Sequence, residues 1–326
     1  MLEYEHGGQK LSGIRLDFSV NLNPLGMPDS VRRALRESID SFAPYPDRDC
    51  AALRAALGSA LEVSPEYILC GNGASDLILR ICAALRPKIA ATLTPTFSEY
   101  ARCVRLFGGE TRPIESAHCG DLAFICTPNN PTGRLAPIEF ILQTLEHGIP
   151  VVVDECFIEF TDGQSALPYI ARYPNLIVLR AFTKIYSMAG LRLGYIVCSD
   201  AKLLARIAAF GAEWNVSAPA TVAGLAALSE SDWIARTRSL VKAERGFMAE
   251  ELVRRGIETE PSDANFLLCK SSAPLARSLR GFGIAVRDCS NFAGLDSRYF
   301  RIGLKTREEN LALLEALDET LKIKVT

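Results

Sequence analysis

Short apolar runs alternate with amphipathic stretches between residues 67 and 199, and this alternation restricts the fold more than any other feature of the chain. The runs at 67–70, 89–94, 122–126, 149–153, 176–179 and 193–198 are too short for buried helices and rich in Val, Ile, Leu and Ala, so they read as buried strands. Helical patterns separate several of them, notably the stretch carrying Leu77, Ile78, Ile81 and Leu85, the one opened by Pro95 to Tyr100, and residues 138–147. Strand and helix in this order predict an α/β fold, a mostly parallel central sheet with helices on both faces. Sheets of that kind bind ligands beyond the carboxyl ends of their strands.

Both flanks differ in texture. Residues 1–27 read as an extended opening with His6-Gly7-Gly8 and a Pro, Asn and Gly-rich turn at Asn21 to Gly26, followed by helices at 28–42 and 49–61 with a turn at Tyr45-Pro46-Asp47. After Asp200 long helical patterns cover 202–210, 218–228 and 232–255. Short strands follow at 265–269, 284–287 and 299–304, with helices near 274–282 and at 307–322. That pattern predicts a smaller α+β unit, and a length of 326 residues allows about two domains.

Composition excludes several classes of partner. With 36 basic against 38 acidic residues the net charge is −2, which gives no basic field for nucleic acid or an anionic membrane surface. No apolar run approaches the ~20 residues of a membrane span. Glu3, Glu5 and His6 stand where a secretory leader would be basic and then apolar, so a cytoplasmic, unprocessed protein is expected. The ten cysteines show no Cys-x-x-Cys spacing and sit mostly in apolar runs, as reduced core residues do, so no metal is expected.

Chemistry concentrates after the strand at 176–179. There Lys184 has apolar and hydroxyl neighbours rather than acids, and Arg192 follows eight residues later. A desolvated lysine has a lowered pKa and can form a Schiff base, and an arginine can hold a phosphate dianion. A single lysine in such a place is most often a surface residue, so the reading depends on what the other strand ends supply. Strand 67–70 runs into Gly71-Asn72-Gly73-Ala74-Ser75 and a helix start, an anion-binding arrangement. Strand 122–126 ends in Thr127 to Gly133, a Pro, Asn and Gly-rich loop. Strand 149–153 ends in Asp154, a carboxylate placed to pair with a protonated pyridine.

Together, Gly71-Asn72-Gly73, Phe97, Asn130-Pro131-Thr132-Gly133, Asp154, Lys184 and Arg192 resemble, in order and spacing, the fold-type-I pyridoxal phosphate enzymes, and among them the class I/II aminotransferases. The likeness covers almost the whole chain. It lies within the branch of histidinol-phosphate aminotransferase and threonine-phosphate decarboxylase.

The resemblance implies roles. Lys184 would bind pyridoxal 5'-phosphate covalently and then act as acid and base, and Asp154 would pair with the pyridine nitrogen. Asn130 would bond the ring's 3-oxygen, and Phe97 would stack on the ring. Gly73, Ala74, Ser75, Thr183 and Arg192 would surround the phosphate, joined by Tyr45 of a second subunit, because this family builds its sites at a dimer interface. Arg301 would hold the substrate carboxylate. The implied organisation is an N-terminal arm at 1–27 that contributes to the active site, a large pyridoxal-phosphate domain at 28–199, and a small C-terminal domain with its connecting helices at 200–326.

Two departures carry information. Ala181 stands three residues before the lysine, where a hydroxyl usually bonds the phosphate, and Phe157 stands three after the aspartate, where aminotransferases have tyrosine. Phenylalanine there is similar to the decarboxylase subgroup, as are His6-Gly7-Gly8, Asp17-Phe18-Ser19 with Asn21, and Arg287-Asp288-Cys289-Ser290-Asn291-Phe292. In that subgroup's pattern His6, Asn21 and Arg287 would contact a substrate phosphate. The implied reaction is decarboxylation of L-threonine O-3-phosphate in cobalamin biosynthesis, with histidinol-phosphate aminotransferase as the alternative. A third reading, a non-catalytic regulatory protein, is disfavoured by the retained Lys184.

Overall fold

The computed structural model describes residues 7–8, 12–114 and 120–323. The chain opens with β1 (Leu16–Asp17), α1 (Asp29–Glu37) and α2 (Ala51–Leu61). Next come β2 (Ile68–Gly71), α3 (Ala74–Leu85), β3 (Ile89–Thr92), α4 (Ser98–Leu106), β4 (Glu110–Pro113), β5 (Leu122–Cys126), α5 (Ile138–Leu145), β6 (Val151–Asp154), β7 (Leu176–Ala181), the one-turn α6 (Phe182–Ile185) and β8 (Gly194–Val197). Helices α7 (Ala201–Ala208), α8 (Ala218–Leu228) and α9 (Trp233–Arg254) lead into β9 (Glu258–Thr259), β10 (Phe266–Lys270), α10 (Ala276–Arg280), β11 (Ile284–Ala285), β12 (Arg287–Asp288), β13 (Tyr299–Gly303) and α11 (Arg307–Ile323).

The central sheet has seven strands in the order β2-β8-β7-β6-β5-β3-β4. All run parallel except β8, which is antiparallel to both of its neighbours. Its strands are apolar on both faces because helices cover both, and alternation divides their side chains. Ala123, Ile125, Val151, Val153 and Val178 join one core with Ile141 of α5 and Leu53 and Leu57 of α2. Phe124, Val152, Ile177 and Leu179 join the other with Leu77 and Ile81 of α3, Tyr100 of α4 and Ile207 of α7. The expected α/β architecture is therefore present.

Some elements differ from the sequence expectation, each for a local reason. Strand β4 was not expected: its Glu-Thr-Arg-Pro sequence is polar because it is an exposed edge strand, paired only with β3. The helix expected over 28–42 stops at Glu37, where the Ser38 hydroxyl donates to the carbonyl of Ala34 at 2.7 Å. A 3-10 turn, Ile39–Phe42, follows. The helix expected from 49 starts at Ala51, with Asp47 accepting from the amides of Asp49 and Ala51. The strand expected over 284–287 is two strands in two sheets. β11 pairs with β1, and β12 joins the four-stranded antiparallel sheet β12-β13-β10-β9, so the chain changes sheets at Val286.

Candidate active site

A cavity of about 590 Å³ lies beyond the carboxyl ends of β5, β6 and β7, and residues 19–21, β12 and β13 close its far side. Asp154 reaches it from the end of β6, behind three fully buried valines. Its Oδ2 accepts from the Tyr100 hydroxyl at 2.6 Å and its Oδ1 from the Cys156 amide at 3.0 Å. Burial pushes its pKa up, and the hydrogen bonds from Cys156 and Tyr100 oppose that shift. Strand alternation turns the next residue, Glu155, the other way. Its carboxylate takes Nε and Nη2 of Arg180 at 3.0 and 2.8 Å, so the arginine of the neighbouring strand β7 is already used.

Lys184 lies on α6, directly beyond β7. Its pKa falls to about 8, first because protein surrounds it and then because Arg301 and Arg192 are near, with Cys156 acting in the opposite direction. No described residue forms a hydrogen bond or ion pair with its ammonium group. The N-terminal segment holds the lysine's turn: the Asn23 amide donates to the Lys184 carbonyl at 3.1 Å and Asn23 Nδ2 to the Ile185 carbonyl at 2.7 Å.

Gly73 precedes α3 with φ of +85° and no side chain caps the helix. A Cβ at Gly73 would lie 2.7 Å from Nη2 of Arg192. The guanidinium therefore rests on the backbone at the helix N-terminus, and glycine is required there both for its φ and for that approach. Ala74, Ser75, Thr183 and Arg192 all border the same cavity. Donors, helix dipole and a fixed cation at one place can hold a phosphate.

The opposite wall carries two arginines. Arg287 and Arg301 are register partners on antiparallel β12 and β13, and both are about 6% exposed. Arg301 donates through Nη1 to Asn130 Oδ1 and through Nη2 to the Ser19 carbonyl at 2.9 Å, while its Nε is buried without a partner. Burial lowers its pKa to about 10, and Arg287 adds to that shift. Arg287 is aimed by the Asp288 carbonyl (2.5 Å), Asn291 Oδ1 (2.9 Å) and the Phe292 ring, 5.3 Å away. Asn21, 1% exposed, borders the cavity with an unpartnered Oδ1. Among the described lining residues, five cations (Arg102, Lys184, Arg192, Arg287 and Arg301) thus face two carboxylates, Asp154 and Glu99, and Glu99 is paired with Arg102. Such a cavity suits a ligand with more than one anionic group.

The structure brings together Ala74, Ser75, Phe97, Asn130, Asp154, Thr183, Lys184, Arg192, Asn21, Arg287 and Arg301 around this cavity, with Gly73 against the guanidinium of Arg192. Tyr45 is elsewhere, 80% exposed and packed on Trp214 with ring centroids 4.7 Å apart. His6 lies outside the described residues. Phe157 borders the cavity edge-on to Phe266 (5.1 Å), whereas Ala181 faces a separate cavity behind α6. Sequence reasoning gave no role to Tyr100, Ser19 or Asn23. Tyr100 sits in a helix pattern; Ser19 acts through its own carbonyl on the Arg301 side chain and Asn23 on backbone carbonyls, both far along the chain.

The model of the aminotransferase class I and II family matches residues 14–317. Threonine-phosphate decarboxylase from Salmonella typhimurium is 37% identical over 94% of this chain and 91% of its own. Among solved structures, histidinol-phosphate aminotransferase from Clostridium acetobutylicum superposes with a TM-score of 0.88 at 30% identity, covering 94% of this chain and 99% of its own. L-threonine-O-3-phosphate decarboxylase from Porphyromonas gingivalis superposes with a TM-score of 0.86 at 28% identity and the same coverage.

Proposed function

We propose, from the premise that the chain belongs to the aminotransferase class I and II family, that it decarboxylates L-threonine O-3-phosphate to (R)-1-aminopropan-2-yl phosphate and CO2. Enzymes of this family work with pyridoxal 5'-phosphate, and the residues present suit that cofactor. Lys184 is half-buried at the cavity with no ion pair among the described residues, Asp154 is a buried carboxylate without a cation, and Arg192 lies over an uncapped helix start. In our reading Lys184 carries the cofactor, Asp154 meets its ring nitrogen, Phe97 its face and Asn130 its 3-oxygen. Gly73, Ala74, Ser75, Thr183 and Arg192 hold its phosphate, with Tyr45 reaching it from the second subunit of a homodimer. When bound, the cofactor supplies an electron-accepting ring for the electron pair left at the substrate's α-carbon.

The chain's own residues then choose the reaction. Arg301 takes the substrate carboxylate, and Arg287 with Asn21 and His6 takes the substrate phosphate. Held at both ends, the substrate cannot rotate freely, and that constraint sets which bond at the α-carbon stands ready to break. Lys184, with a pKa of about 8, is mostly an ammonium near neutral pH and can give its proton to the carbon that CO2 leaves. Phe157 offers no hydroxyl, in keeping with the decarboxylase branch. The observation that carries the proposal is the pairing of Arg287 with Arg301, two buried cations opposite each other with room for two anionic groups. The product amine would feed cobalamin assembly. No helix among the described residues is long and apolar enough to cross a membrane, and we place the reaction in the cytoplasm.

The test is direct. Cofactor-loaded protein mixed with L-threonine O-3-phosphate, with no keto acid present, should release CO2 and the phosphorylated amine over many turnovers. The second reading, histidinol-phosphate aminotransferase, draws on the TM-score of 0.88 to such an enzyme. Glutamate formation from histidinol phosphate and 2-oxoglutarate, without CO2 release from the first substrate, would establish it instead.

A further inference from the structure

Tyr100 is fully buried on α4, 54 residues before Asp154 in sequence, and no lining of the cavity includes it. Its surroundings explain why it is tyrosine and not phenylalanine. The ring is stacked on Phe124, with centroids 4.7 Å apart and planes 10° from parallel, and stands edge-on to the cavity residue Phe97 at 5.6 Å and 88°. Those contacts need only an aromatic ring. The hydroxyl has a separate task, because it donates to Asp154 Oδ2 at 2.6 Å, a buried contact behind the cavity. A phenol that donates to a carboxylate favours its ionised form, whereas burial favours the neutral acid. Tyr100 itself stays protonated, since burial and the neighbouring carboxylate both push its pKa well up. With the Cys156 amide on Oδ1, the hydroxyl also fixes the rotation of the carboxylate.

We propose that Tyr100 is a positioning residue that keeps Asp154 ionised and oriented, so that the side chain can receive a protonated ring nitrogen. The inference rests on the cofactor assignment above and not on the choice of substrate. Tyr100→Phe removes the hydroxyl alone and retains both ring contacts.

The experiment compares pyridoxal phosphate with its analogue in which a C–H replaces the ring nitrogen. Dissociation constants for both are measured on the wild-type protein, Tyr100→Phe, Asp154→Asn and the double variant, with thermal unfolding of each unliganded protein as a control on folding. Loss of a hydrogen bond to a charged group predicts about tenfold or greater weakening for pyridoxal phosphate in Tyr100→Phe. It predicts no weakening for the analogue and no further weakening when Tyr100→Phe is added to Asp154→Asn. Equal losses for both ligands, or no loss for either, would overturn the proposal by reducing Tyr100 to packing. Neither result depends on CO2 release, so failure here and failure of the decarboxylase reading are separable.

Discussion

Arg287 and Arg301 stand directly opposite each other on β12 and β13, each buried and each over an aromatic ring, Phe292 and Phe266 respectively. Two like charges at one register position are unfavourable in an unliganded protein, and the unpartnered Nε of Arg301 adds to the cost. A ligand with two anionic groups would offset the like-charge repulsion. The two side chains are also held differently. Arg301 is anchored through Asn130 and Ser19, whereas Arg287 is held by its own loop through Asp288 and Asn291.

Arg287→Ala should therefore raise KM for L-threonine O-3-phosphate by about 10- to 100-fold and lessen the preference over unphosphorylated threonine. Arg301→Ala should weaken both amino acids to a similar degree. Steady-state CO2 release with the two substrates distinguishes these patterns, and equal loss of preference in both variants would contradict the assignment.

Phe157 packs on Phe266 and Phe160 at the border of the cavity and carries no hydroxyl. Phe157→Tyr should lower the pH at which the bound cofactor's absorbance changes, because the new hydroxyl can bond the ring oxygen. It should also increase the share of transamination over decarboxylation. Spectrophotometric pH titration and product analysis with an added keto acid check both effects.

Lys184 titrates at about 8 in the folded chain against 10.5 unperturbed. Between these values the unfolded state binds more protons than the folded one, so stability rises with pH across that window. Below about pH 8 the folded protein carries a poorly solvated ammonium. Lys184→Met should therefore stabilise the unliganded protein near pH 7 and lose that advantage between pH 8 and 10.5. Melting temperatures of the two proteins across this range test the expectation, and the variant should also release no CO2.

Gly73→Ala introduces a Cβ 2.7 Å from Nη2 of Arg192 at a residue with φ of +85°. With ψ of 169° the backbone is in a region that side chains rarely adopt, so strain of about 1–3 kcal/mol accompanies displacement of the arginine. Affinity for pyridoxal phosphate should fall at least tenfold with a small change in melting temperature. Unchanged affinity in a fluorescence titration would remove Arg192 from the phosphate site.

Much of this was legible in the sequence wherever a signal is local and repeated. Residues 122–126 are a strand and 218–228 a helix at the expected boundaries, because unbroken apolar runs or a capped periodic pattern define them. Asp154, Lys184 and the Gly73 turn were legible because each follows a strand. The two-residue strands β1 and β9 were not, being too short for any period, and β4 was hidden by its polar edge. The contacts that unite the site were also hidden. Tyr100 meets Asp154 across 54 residues and Arg301 meets Asn130 across 171, and no composition or spacing encodes such pairings.

The reversed direction of β8 has a practical consequence for anyone re-engineering this chain. Because β7 and β8 are antiparallel neighbours, residues 182–193 form a direct return on which both Lys184 and Arg192 ride, with Asn23 clamping its first turn. Between β2 and β3, β3 and β4, and β5 and β6 a helix absorbs changes in length. This return has no such slack, so it is the segment where grafting, permutation or insertion of even one residue displaces two functional groups at once.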